Sequence, residues 1–187
     1  SYLIYGLIEL YQTDFNPEHL KLALKLQNKQ DELFWDEKLS FYYDTDGKDK
    51  TLLVRTKDSY DGATPSASSV AALNLLKLGS LTYNDSLKQK ALKVINQSSQ
   101  SLLKNPRAHT FLLQAFDYLS DKSKEIVVTG DHKSKITKKM LDVLQQSFLP
   151  NKVLACAHPK NQDKNLFKLA LLSGKPLLKG QEGGAFV

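Results

Sequence analysis

Scarcity marks this chain. Its 187 residues hold one cysteine, one methionine and one tryptophan, and only Arg55 and Arg107 among its 26 basic residues are arginine. The lone Cys156 excludes an internal disulfide, a CxxC redox centre and a thiolate zinc knot within these residues. It fits a reducing compartment, and a cytoplasmic location is expected. With so little arginine and with lysines scattered over helical faces, nothing resembles the aromatic and basic interleaving of a nucleic-acid platform, so no nucleic-acid partner is expected. No stretch approaches ~18 uninterrupted apolar residues. The opening Ser1 to Leu7 has neither a basic region nor a cleavage site, so no membrane partner is expected. Of the four histidines no two have metal-ligand spacing, so neither metal nor cofactor is expected.

What is present is a globular composition, 41% apolar and 25% charged. The net charge of +6 is uneven: residues 1–93 carry 12 basic against 13 acidic side chains, and residues 94–187 carry 14 against 7. The chain opens inside an amphipathic pattern and closes on Gly184-Ala185-Phe186-Val187, which reads as the start of a strand. A piece of a longer protein is expected.

Residues 7–26 and 75–94 align at an offset of 68, with Leu7/Leu75, Leu10/Leu78, Asn16/Asn84, Ala23/Ala91, Leu24/Leu92 and Lys25/Lys93 identical. Each segment reads helix, turn, helix, with Asn16-Pro17 and Asn84-Asp85 supplying the turn and the next N-cap. This is a repeated αα-hairpin. The helices alternate in character. Residues 2–12, 65–79 and 108–119 are apolar on most sides, whereas 18–35 and 85–103 are polar on one face. An all-round apolar helix must be covered on every side; a one-striped helix faces water. The alternation predicts a mainly α fold, a partial (α/α) toroid with buried inner and amphipathic outer helices. A stacked α-solenoid gives a similar pattern. The inner helices are expected to expose apolar surface and to favour self-association.

From residue 123 the period changes. Apolar runs at 125–129 and 153–157 flank a helical pattern from Ser134 to Phe148, which predicts parallel strands joined by a right-handed crossover. A second helix over 166–172 and a third strand at 184–187 would extend this to βαβαβ. The division is therefore residues 1–122, helical hairpins, and residues 123–187, a small parallel βαβ appendage.

The densest polar segment is Arg55 to Ser69, directly before an apolar helix. Thr64 reads as the N-cap and Pro65 as the first helical residue, which leaves Asp61 spare. In a toroid such a loop lies at one mouth of the central cavity. Asp61 and His109 are the candidate catalytic groups. Arg55, Tyr60, Ser66 and the sugar-stacking Trp35 are the candidate substrate contacts. Each has a plainer reading: Asp61 and Ser66 as caps, Trp35 as packing under a loop, His109 bonded to a carbonyl.

The stretches LIYGLIELYQTDFNPEHL, LFWDEKLSFYY, VRTKDSYDGATPSASSVAALNLLKL, HTFLLQAFDYL, EIVVTGD, FLPNKVL and KPLLKG carry a resemblance. They are similar to the C-terminal part of the YyaL-like, thioredoxin-domain-containing proteins related to spermatogenesis-associated protein. YDGATPS is the most specific block. The resemblance implies a thioredoxin-like domain ahead of an (α/α)6 toroid of the six-hairpin glycosidase type, similar to N-acylglucosamine 2-epimerases. It implies a carbohydrate-like small-molecule ligand and, as a partner, the N-terminal part of the same protein. It supplies no catalytic residues. The redox motif lies outside these residues. The expected function is a carbohydrate-binding or carbohydrate-modifying toroid of epimerase, isomerase or hydrolase type. The alternative is a non-catalytic helical scaffold or interaction module attached to a thioredoxin-like domain.

Overall fold

The computed structural model of the chain describes residues 1–131, 133–157 and 183–187. Its elements are α1 (Tyr2–Asp14), α2 (Pro17–Phe34), β1 (Trp35–Asp36), β2 (Phe41–Tyr42), α3 (Ala67–Thr82), α4 (Asp85–Lys104), a 3-10 turn at Pro106–His109, α5 (Thr110–Ser120), β3 (Lys124–Gly130), α6 (Lys135–Gln146), β4 (Lys152–Ala157) and β5 (Gly183–Phe186). The fold is mainly α with a small strand appendage. No helix among the described residues is long and apolar enough to cross a membrane.

The repeat is visible atom by atom. Helices α1 and α3 both end on an aromatic residue in the left-handed region, Phe15 at φ 57° and Tyr83 at φ 51°. Both are followed by an asparagine N-cap whose side chain accepts from the amide two residues on, Asn16 from Glu18 and Asn84 from Ser86. A non-glycine residue in this region loses about 1 kcal/mol, so the tight turn is held by its caps and by packing. Pro17 occupies the first helical position, where its missing N–H is no loss. Gly79 is set by the close approach of α4: an added Cβ would lie 2.6 Å from the Lys88 side chain and 3.1 Å from the Asn84 carbonyl.

Helices α1 and α3 lie side by side and parallel. Ser1 Oγ donates to the Ala67 carbonyl at 2.7 Å, and two turns further on Lys77 Nζ reaches Glu9 Oε1 at 2.5 Å. Glu9 and Lys77 are equivalent positions of the repeat, so the two helices meet at matching heights. Helix α5 packs on α3 with its N-terminus at the same end, where its first amides meet the loop before α3. Helices α2 and α4 pack back against α1 and α3. Residues 68–81 of α3 are all buried, enclosed by α1, α4, α5, β2 and β4. The open apolar surface expected of α3 is thus covered within the chain. Exposed apolar groups sit on the flanking helices instead, Leu3 and Leu10 on α1 and Phe116 and Leu119 on α5.

The sheet has the order β4-β3-β5, with β3 and β4 parallel as their continuous apolar runs predict. One face, Val127, Val153 and Ala155, belongs to the helical core; the other, Ile126, Val128, Leu154 and Cys156, packs with Leu141 of α6. Burial on both faces explains why these strands lack alternation. The sheet closes the C-terminal ends of the inner helices: the Leu154 amide donates to Gln12 at the end of α1, and Glu125 pairs with Lys88 at the start of α4. The third strand is present but antiparallel to β3, not part of a parallel βαβαβ layer. β5 starts beside Gly130, at the end of the sheet where β4 finishes. The helix expected at 166–172 lies outside the described residues.

Candidate functional site

The N-termini of α1, α3 and α5 gather on one short segment, residues 60–66. Asp61 is its fastener. The carboxylate is only 4% exposed. Its Oδ1 accepts from the Ser66 amide at 2.8 Å, and its Oδ2 accepts from the Phe111 and Leu112 amides, both at 2.9 Å. The Asp61 amide in turn donates to the Ala108 carbonyl at 2.8 Å. One carboxylate therefore satisfies orphan amides at the starts of two helices, where the helix dipoles also favour negative charge. Ser66, not Thr64, is the N-cap of α3; its Oγ accepts from the Ser69 amide. The expectation that Asp61 is spare is corrected accordingly. Once the cap moves two residues along, Asp61 is the group that ties loop, α3 and α5 together.

The remaining candidates separate. Tyr60 is 61% exposed, with its ring folded over Gly62, where a Cβ would meet it at 2.8 Å. Tyr2 of α1 reaches the same rim, its hydroxyl donating to the Pro65 carbonyl. Arg55 faces away from the rim: its guanidinium donates to the Thr45 and Leu33 carbonyls and stacks on Tyr43 at 3.8 Å. It pins the 44–55 loop to the C-terminal end of α2. Trp35 packs edge-on to Tyr42 at 5.0 Å, with Lys90 over its ring at 4.9 Å, between the outer helices and not beside the rim. Tyr42 donates to Asp31 there at 2.5 Å, and burial together with that negative charge pushes its phenol well above the ordinary range. His109 is 1% exposed and turns to the outer helix, its Nε2 lying 2.7 Å from Ser101 Oγ of α4. A histidine at the start of an inner helix had equal claim to face the cavity; packing against α4 turns it outward.

A second set of groups was overlooked in the sequence. Lys77 is the single charged residue of α3 and is buried, yet it pairs with Glu9 and lies 5.2 Å over the Tyr5 ring. Beside it is a cavity of about 140 Å³ between α1, α3 and α5, lined further by Leu73, Gln114, Asp117 and Asn151. Asn151 donates to Asp117 at 2.7 Å and so brings the start of β4 to this face. The available signal was a lone lysine in an otherwise uncharged helix, because a buried ammonium needs a partner.

Among the described residues no group of acidic, histidine or cysteine side chains is placed to hold a metal ion. Burial, helped by the charge of Asp131, pushes the Cys156 thiol up to about 12. The folded protein should therefore leave a disulfide reagent unconsumed at about pH 8, whereas the guanidinium-unfolded chain should react. Rapid reaction of the folded form would overturn the burial. Because the thiol ionises more readily once unfolded, its contribution to stability is complete below pH 9 and is lost as pH rises towards 12.

No family model matches the chain. Spermatogenesis-associated protein 20 of Rattus norvegicus is 35% identical to it over 158 residues, 84% of this chain and 20% of the relative. The Homo sapiens protein of that name is 34% identical over the same shares. An uncharacterized protein of Caenorhabditis elegans is 31% identical over 163 residues, 87% of this chain and 22% of the relative. The chain spans about a fifth of the length of the relatives it matches. These matches bear out the resemblance to the spermatogenesis-associated protein family over the residues they cover.

Proposed function

We propose that α1, α3 and α5 form one arc of a ring of helical hairpins, and that its inner face binds a small carbohydrate-like molecule. The observation that carries this reading is the buried Lys77, paired with the partly exposed Glu9, beside a cavity shared by three parallel helices. Burying an ammonium is unfavourable without compensation, and here it puts a fixed cation, a carboxylate and an aromatic ring on one inward surface. Gln114 and Asp117 add an amide and a second carboxylate from α5. Hydroxyl-rich ligands are recognised by such mixtures of donors, acceptors and one ring face. Exposed Leu3 and Leu10 on one flank and Phe116 on the other support further hairpins on either side of the arc, supplied by the rest of the protein or by a second copy. Asp61 and His109 enter as residues that hold the rim, and Tyr60 as the one positioned to meet a ligand there. The compartment fitting this reading is the cytoplasm.

Calorimetry of the full-length protein against a panel of monosaccharides tests it. One sugar is expected to bind, and Lys77→Met, which keeps the apolar stem, is expected to weaken it at least about tenfold, or ~1.4 kcal/mol. Absence of binding across the panel, or binding indifferent to Lys77→Met, would refute the reading. The alternative, a non-catalytic helical module, draws on a different observation: Asp61 and Ser66 are consumed by internal hydrogen bonds, and the buried His109 bonds through Nε2 to Ser101 of the outer helix.

A further inference from the structure

We infer that a second site lies on the outer side of the hairpins, between α4 and the β1–β2 hairpin, and that it takes a small neutral polyhydroxyl molecule. A cavity of about 190 Å³ opens there. Phe41 and Leu39 form its apolar wall; Gln97, Ser98 and Ser101 face it from α4, and Lys57 and Ser59 from the loop. The space equals roughly six waters at ~30 Å³ each and falls below the ~300 Å³ of drug-sized pockets. It suits one small ring or a short polyol.

The polar lining has hydrogen-bonding capacity to spare. The side chains of Ser59, Gln97 and Ser98 bond to no other described residue. Ser98 is 5% exposed as a residue and lines the cavity, and its hydroxyl, without a partner among the described residues, can bond to a molecule that enters there. Ser101 is oriented from behind by the buried His109 at 2.7 Å, and its oxygen stays available on the cavity side in either histidine tautomer. Charge decides the class of ligand. Lys57 is the cavity's one cation and is already neutralised by Asp36 at 3.1 Å, with its ammonium 4.5 Å over the Tyr43 ring. An anion would have to compete with Asp36 for that ammonium. A neutral molecule that both donates and accepts matches three hydroxyls and an amide as they stand, while its C–H face meets Phe41 and Leu39.

Hydrogen-exchange mass spectrometry on the full-length protein separates this site from the inner face, because the two fall in different peptides. Glucose is expected to slow exchange at the end of α4 and at residues 57–60. Gln97→Ala, at an exposed position, and Ser98→Ala should each weaken that protection at least fivefold. Inorganic phosphate should not reproduce it. The proposal is overturned if glucose protects nothing in these segments, if both variants leave the protection intact, or if phosphate gives the same pattern. A failure of the inner-face reading would show instead in the peptides carrying Lys77 and Asp117.

Discussion

Asp61→Ala is expected to destabilise the fold by about 3–5 kcal/mol, measured by urea unfolding of the protein. Three amides, of Ser66, Phe111 and Leu112, lose their acceptor in a place that water reaches poorly. An unsatisfied buried donor costs about 1–3 kcal/mol, and three on one carboxylate are not fully additive. Asp61→Asn should fall between alanine and the wild type, because an asparagine keeps one acceptor oxygen and turns an NH2 group towards the other amides. A loss under about 1 kcal/mol for the alanine variant would show that the rim does not depend on this carboxylate. The same variant should loosen the start of α5 before any other helix, and exchange at the Phe111 and Leu112 amides would report it.

The next largest effect comes from a pair of equivalent leucines. Leu10 and Leu78 occupy the same position of the repeat, yet Leu10 is 44% exposed while Leu78 is 0% exposed in the enclosed helix α3. Leu78→Ala removes buried surface and leaves a cavity that its surroundings only partly fill, for a loss of about 3–4 kcal/mol. Leu10→Ala opens no cavity and should change stability by less than about 1 kcal/mol. Equal losses at both positions would mean that α1 is covered as fully as α3 in solution, by a second copy or by the remainder of the protein. Running the two unfolding curves over a range of protein concentrations distinguishes those cases, since a second copy makes the loss concentration-dependent.

Much of the architecture follows from local rules that act along the chain. The asparagine caps at Asn16 and Asn84, Pro17 at the first helical position, the offset of 68 and the alternation of apolar with amphipathic helices are each matters of neighbouring residues. They reappear in the structure where the sequence puts them. So does the parallel pairing of 125–129 with 153–157, because two continuous apolar strands flanking one helix have few other ways to bury themselves. The site is different in kind. Whether Asp61 caps its own helix or a helix fifty residues away depends on where α5 docks. Whether His109 looks inward or outward depends on its rotation against α4. Whether Lys77 is a solvated lysine or a buried one held by an ion pair depends on Glu9, which is distant along the chain and adjacent only because the two repeats lie at the same height. Short-range hydrogen bonding and periodicity are encoded residue by residue, so the helices, the asparagine caps and the parallel strand pair could be read directly, whereas the cap of α3 at Ser66 and the antiparallel β5 could not. Which polar groups meet is set by the long-range packing of α1, α3 and α5, and only the tertiary structure decides it.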